Sequence, residues 1–262
     1  MCLALVAIGQ HPKYPLILLS NRDEFYNRAS RPADYWHDDR SVFAGRDLVT
    51  GGSWLGVNKK GGFALVTNYR NPNAYNALMQ SRGHLVSHYL LNQKLCSPDQ
   101  YIKTVAATAH NYNPFNLIVG TMNKSTYYSS VDNKVINLKA GLYGLSNHLL
   151  DTPWYKVLHA KELFSKTRDK LIDCTEPEAL GNLLLPILED SQRAPDNLLP
   201  QTGLTEHLEK ALSSIFVDVP EHHYGSRSSS LILFTKDTLF FTEKTFLNAQ
   251  MISSRHTEIK IS

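Results

Sequence analysis

The sequence predicts an α+β domain of antiparallel sheets covered by helices. Three observations predict it. Short apolar runs recur in pairs joined by brief turns, as hairpins require. Segments with helical spacing fall in pairs between those hairpins. No repeat, low-complexity tract or linker divides the 262 residues, so residues 1–262 read as a single domain able to bury a large core.

Leu3–Ile8 is a short apolar run, read as a buried strand. Residues 10–15 carry two prolines and read as a turn. Leu16–Leu19 gives the second strand, ending at Asn21-Arg22-Asp23-Glu24. Trp54–Val57 and Phe63–Thr67 make a second hairpin around the turn at 59–62. Asn116–Thr121 with Thr126–Val131 makes a third, and Val135–Leu138 and Leu142–Leu145 are further strands. Ser230–Thr235, Thr238–Thr242 and Glu258–Ile261 are strands near the C-terminus. Helical spacing appears at Gly83–Gln93, Pro98–His110, Trp154–Leu171, Pro177–Leu188 and Leu204–Ile215. Pro98 and Pro177 suit a first helical turn. The polar stretch 190–203 reads as a surface loop.

Composition bounds the function. Twenty-seven basic and 24 acidic residues leave a net charge of +3, too weak to argue for nucleic acid, and no basic stripe is present. The cysteines Cys2, Cys96 and Cys174 are odd in number and far apart, which suggests a reducing compartment rather than a disulfide framework. Cys96 and Cys174 read as structural. No CxxC occurs, so zinc ribbons and c-type haem are not expected. The run 3–8 is too short for a transmembrane segment and lacks signal-peptide flanks. The expected location is the cytoplasm.

Cys2 follows the initiator methionine. Removal of Met1 would leave a thiol and an α-amine on one residue, with ordinary pKa values of about 8.5 and about 7.7–8.0. The amine could then take the thiol's proton, giving a nucleophile with its own base. The plainer reading is a small apolar residue opening a strand. In a hairpin, Cys2 at the start of strand one lies beside the end of strand two, next to Asn21–Glu24. A guanidinium there would favour the thiolate and a carboxylate would orient the amine; otherwise the cluster is a solvated ion pair.

Other polar positions stay open at this level. Gly51–Gly56 lacks a Walker lysine and a GxGxxG pattern, leaving Trp54 as core or pocket wall. Asn68 and Asn147 at strand ends are turn formers or neutral donors to an oxyanion. Arg227, in Tyr224-Gly225-Ser226-Arg227, is a carboxylate clamp or a structural ion pair. His84 and His88 have a zinc-like i, i+4 spacing, but no third ligand is evident and no metal is expected.

In order, Met1-Cys2, Asn21-Arg22-Asp23-Glu24-Phe25-Tyr26, Gly52-Ser53-Trp54-Leu55-Gly56 and Thr67-Asn68-Tyr69 resemble the NRDE family, homologues of transport and Golgi organisation protein 2. Arg82-Gly83, Phe115-Asn116-Leu117, Tyr143–Asn147, Thr152-Pro153-Trp154, Tyr224-Gly225 with Arg227, and Phe241-Thr242-Glu243 continue the resemblance along nearly the whole chain. It implies the N-terminal-nucleophile (Ntn) hydrolase fold, a four-layer αββα sandwich. It also implies Cys2 as nucleophile, Arg22 as the cation beside the thiolate, Asp23 as partner of the α-amine, and Asn68 and Asn147 as oxyanion donors. Arg227 matches a site arginine loosely. Asn21, Glu24, Trp54, Tyr69, His88 and His148 are the expected substrate-contacting set. The related hydrolases separate the early arginine and aspartate by two residues, whereas here they adjoin. Adjacent strand residues face opposite ways, so unless the strand has ended or bulges only one of Arg22 and Asp23 faces Cys2; either one of the two is misassigned or Glu24 takes the carboxylate role.

Two function classes follow, with a third on the same fold. The first is a cysteine amidohydrolase or acyltransferase acting on a small amide or acyl substrate, a hydrolase of C–N amide bonds with no required cofactor. The second is a non-catalytic carrier, since the family is associated with haem trafficking and lipid homeostasis. Haem or an acyl lipid would occupy the same cleft, lined by Trp36, Trp54 and Tyr69, with His88 or His148 as the axial ligand. The third is an interaction scaffold.

Overall fold

The computed structural model describes residues 3–92 and 97–262. In chain order, β1 (Leu3–Ile8) and β2 (Leu16–Phe25) precede β3 (Ser30–Tyr35), β4 (Val42–Asp47), β5 (Leu55–Asn58) and β6 (Phe63–Asn68). Helices α1 (Gly83–Leu91) and α2 (Pro98–Thr108) lead into β7 (Phe115–Thr121), β8 (Lys124–Ser129), β9 (Lys134–Leu138) and β10 (Gly141–Leu145). Then come α3 (Tyr155–Lys166), α4 (Arg168–Asp173), α5 (Pro177–Leu188) and α6 (Glu206–Ala211), followed by β11 (Asp218–Val219), β12 (Tyr224–Phe234), β13 (Thr238–Leu247) and β14 (Gln250–Lys260).

The chain divides into two compact units. The first takes the described residues up to Asn27 together with Ala140–Ile259. Its sheet runs β10-β1-β2-β12-β13-β14, with β11 added beside β12. Alternate residues of β1, β2 and β12, such as Leu5, Leu19 and Leu231, pack with Val157 of α3 and Leu184 of α5 in one apolar core. The second unit takes Arg28–Lys139 and Lys260–Ser262. Its sheet is a meander in sequence order from β3 to β9. Leu85 and Val86 of α1 and Ile102 of α2 pack on Val66 and Leu117 of that sheet. The antiparallel α+β class expected from the pattern is what the structure shows.

Local chemistry sets the boundaries. Ser97 caps α2, its hydroxyl accepting from the Gln100 amide at 3.3 Å, with Pro98 in the first turn. Pro177 starts α5 in the same way. The helix expected over Trp154–Leu171 is broken at Thr167, whose amide and hydroxyl both close onto the Phe164 carbonyl at 3.1 and 2.8 Å. The helix expected over Leu204–Ile215 contracts to the six residues of α6. Gln93, the expected end of α1, lies outside the described residues.

Three strand features differ from expectation. β2 does not end before Asn21 but continues to Phe25, and β12 begins at Tyr224 rather than Ser230. The two polar stretches pair with each other, so each supplies the partners that water would otherwise supply. β3 and β4 carry no apolar alternation. β3 is an edge strand with Pro32 lying where its pairing slips between Arg31 and Asp34.

Trp54 is core rather than pocket wall, 8% exposed. Its indole lies over Gly45 of β4, where an added Cβ would stand 2.2 Å from the ring.

Candidate functional site

The Asn21–Glu24 segment lies inside the first unit's sheet. On one side β1 pairs with β2, setting Leu3 opposite Asn21. On the other side β12 sets Ser229 opposite Asn21, Ser228 opposite Arg22 and Ser226 opposite Asp23. The register slips between Ser226 and Ser228, leaving Arg227 as the extra residue of a bulge.

The bulge lies in β12, so β2 alternates normally and its four polar residues divide between two faces. Asn21 belongs to the helix-covered face. Its Nδ2 donates to the carbonyls of Leu188, the last residue of α5, at 2.7 Å and of Ile215 at 3.0 Å. Its Oδ1 accepts from Ser229 Oγ at 2.7 Å. With no exposed surface, Asn21 is a structural brace rather than the substrate contact expected of it. Asp23 follows on the same face. Its Oδ1 accepts from Ser226 Oγ at 2.6 Å. Asp23 is 2% exposed, and its Oδ2 is buried with no hydrogen-bond partner among the described residues.

Arg22 and Glu24 share the opposite face and approach to 3.8 Å. Arg22 is buried, whereas Glu24 is partly open and accepts its neighbour Phe25's amide at 2.9 Å. The alternation therefore assigns Arg22 and Glu24 to one side of the sheet and Asp23 to the other. Farther along that Arg22 side, Ser230 Oγ donates to the buried Glu243 at 3.3 Å. Ser226, Ser229, Ser230 and Glu243 all serve this polar centre. The sequence alone gives them no site role, because nothing short of the β2–β12 register marks a serine run as a ladder.

Arg227 turns back along the bulge. Its Nη1 donates to the carbonyls of Phe25 at 3.0 Å and Tyr26 at 2.9 Å. Burial lowers the pKa of its guanidinium, and Glu24 and Tyr26 oppose that shift. At this atom it acts as a strap on the β2 end. Tyr26 is fixed by its hydroxyl, which donates to Asp218 at 2.7 Å.

Asn147 lies just past β10, which pairs with β1 through Leu145 and Ala4. It is 5% exposed. The loop carrying it is tied to β10 by Asp151, whose carboxylate accepts the Gly144 amide at 2.8 Å and whose amide donates to the Gly144 carbonyl at 2.8 Å. His148 Nδ1 lies 2.8 Å from Thr152 Oγ1 and its ring packs on Trp154 at 5.5 Å. Burial lowers its pKa.

Cys2 lies outside the described residues, as does Cys96. Asn68, Tyr69, Trp54 and His88 belong to the second unit. Asn68 is exposed at the end of β6, and the Tyr69 amide donates to the Pro114 carbonyl at 3.0 Å. His88 is exposed on α1 and stacks on His84, while His84 Nε2 reaches the Thr50 carbonyl at 2.8 Å. Among the described residues no group of three or more His, Cys, Asp or Glu side chains is placed to hold a metal ion, and no helix is long and apolar enough to cross a membrane.

Comparison with solved structures shows the fold. A cysteine-to-alanine mutant of conjugated bile acid hydrolase from Clostridium perfringens aligns with a TM-score of 0.52 at 11% identity, covering 97% of this chain and 92% of that one. An arginine-to-leucine variant of the same enzyme aligns with a TM-score of 0.52, covering 100% and 97%. The chain therefore has the Ntn-hydrolase-like fold expected from its motifs. Among curated proteins, the Transport and Golgi organization protein 2 homolog of Bos taurus is 34% identical over 95% of this chain and 94% of its own. The human homolog is 32% identical over 96% and 95%, and the Drosophila melanogaster protein 29% identical over 94% and 92%. The family model described as Transport and Golgi organisation 2 matches residues 1–248, and the chain belongs to that family.

Proposed function

We propose that the chain is an N-terminal-nucleophile cysteine amidohydrolase or acyltransferase acting on a small amide or acyl substrate. The observation that carries this reading is the Asp23 carboxylate, buried with Oδ1 on Ser226 and Oδ2 without a hydrogen-bond partner among the described residues. A buried carboxylate oxygen left unmatched is costly. Leu3, the residue after Cys2, pairs with Asn21, which supports a Cys2 that works beside Arg22 with its freed α-amine held by Asp23. In this reading the adjacency of Arg22 and Asp23 is useful: one residue serves the thiol's face and the other the amine.

The chemistry then runs through the chain's own groups. The Arg22 guanidinium favours the thiolate, and the α-amine holds the thiol's proton. Thiolate sulfur attacks the amide carbon, and the carbonyl electron pair moves to oxygen, where the Asn147 amide donates. Collapse breaks the C–N bond, and the leaving amine takes the proton from the α-amine. Water, or an acceptor amine, then cleaves the thioester and returns the thiol. The two neighbour structures alter a cysteine and an arginine of a hydrolase, the same residue types invoked here.

Intact mass and an electrophilic cysteine probe test the proposal. Met1 should be absent, and Cys2 should label faster than Cys174 by about tenfold or more. Arg22→Gln should slow Cys2 alone, and a panel of N-acyl amides should leave an acyl adduct on Cys2. Retained Met1, or a Cys2 no more reactive than Cys174, overturns the catalytic reading. A saturable haemin spectrum in such a protein would support the carrier reading instead.

A further inference from the structure

Residues 71–80 of the second unit form a loop in which every residue is exposed. It is nonetheless firmly built. A 3-10 turn spans Pro72–Ala74. The buried Asn113 clamps the loop from below, its Oδ1 accepting the Asn76 amide at 2.8 Å and its Nδ2 donating to the Asn76 carbonyl at 2.8 Å. Asn76 Oδ1 in turn accepts the Leu78 amide at 2.9 Å, and the Gln80 amide donates to the Asn111 carbonyl at 2.9 Å.

This ordered backbone displays large apolar side chains to solvent. Leu78 is 94% exposed, Tyr75 68% and Met79 37%. A loop that buried these groups on its own unit would gain hydrophobic stabilisation; this one holds them outward. An aromatic residue with a polar tip beside aliphatic side chains suits a membrane–water interface. Charge agrees with that surface. Residues 71–80 carry no charged side chain, and the first charged residues on either side are both cations, Arg70 and Arg82. Arg70 and Arg82 stand at the two ends of the loop, where cations meet headgroup phosphates when the tip is inserted.

We propose that the loop at 71–80 is a docking element for an anionic lipid bilayer, with Tyr75, Leu78 and Met79 entering the interface and Arg70 and Arg82 contacting phosphate. The contact is peripheral and reversible, because three side chains and two cations fall far short of a spanning helix. It is independent of any chemistry at Cys2.

Vesicle co-sedimentation of the full chain tests it, with vesicles of phosphatidylcholine alone and of phosphatidylcholine with phosphatidylserine. Binding should be confined to the anionic vesicles and should weaken as salt rises past physiological strength. The double variant Tyr75→Ser, Leu78→Ser should lose about tenfold or more in apparent affinity with an unchanged melting temperature. In the single variant Leu78→Trp, indole emission should shift to the blue on the anionic vesicles. Equal binding by the double variant, no binding by the native chain, or an indole that stays in water overturns the proposal. A double variant that instead changes the oligomeric state in light scattering assigns the loop to a protein contact and overturns it too.

Discussion

Replacing Asn21 by leucine would remove the brace beneath the polar centre while keeping nearly the same volume. In the native chain Asn21 satisfies the last carbonyl of α5 at Leu188, the Ile215 carbonyl and the Ser229 hydroxyl, all without exposed surface of its own. Leucine leaves two buried carbonyls without their donor and one hydroxyl without its acceptor. A buried polar group stripped of its partner costs about 1–3 kcal/mol. Some relaxation at Ser229 is available because a hydroxyl can rotate, so the sum comes to about 3–5 kcal/mol. That is a large share of the about 5–15 kcal/mol by which a domain is stable. Equilibrium urea unfolding measures it as a fall in midpoint of about 1–2 M at an unchanged slope. Adding Ser229→Ala should then cost little more, since that hydroxyl has already lost its acceptor. A loss below about 1 kcal/mol for Asn21→Leu, or full additivity with Ser229→Ala, would refute the brace.

Arg22→Gln should raise the pH at which Cys2 alkylation reaches half its maximum by about one unit, read from rate–pH profiles; an unmoved profile removes Arg22 from the thiolate's surroundings. Tyr14, fully buried and donating to the Thr175 carbonyl at 2.7 Å, has its pKa pushed up by burial from 10.0 to about 12. The folded chain therefore keeps a proton that the unfolded chain releases. The associated stability is complete below pH 10 and is lost as pH rises from 10 toward about 12. Melting temperature should drop across that window, and less so in Tyr14→Phe. Gly45→Ala places a methyl 2.2 Å from the Trp54 indole and should cost about 1–3 kcal/mol or more, visible in the urea midpoint and in a changed tryptophan spectrum.

The apolar strands and the longer helices were legible because their pattern is local. Leu3–Ile8 and Pro177–Leu188 were each read with the bounds they have. The ends of β2 and β12 were not, because charged and serine-rich segments resemble turns until each is seen to be the other's partner. Asp23 needs Ser226, and no window of sequence contains both. The same cause left open whether the strand runs on through Arg22 and Asp23 and so divides them between two faces. Their adjacency posed the question, and only the position of the bulge, in β12 and not in β2, answered it. β3 escaped notice for a different reason: an edge strand with Pro32 and two exposed charges has no pattern to read.

The Asp23–Ser226 contact joins positions 203 residues apart in the chain, and this has a consequence in time. The second unit is nearly contiguous and can close soon after Lys139 is made, but β2 waits for β12. At about 5–20 residues per second, that delay is roughly 10–40 s of synthesis. Throughout it β2 lacks its partner, and the polar centre cannot assemble. β1 and β2 therefore leave the ribosome long before the strand that completes their sheet is made. Completion of the site is tied to completion of the chain, and a product truncated before β12 would expose β2 as an unpaired edge.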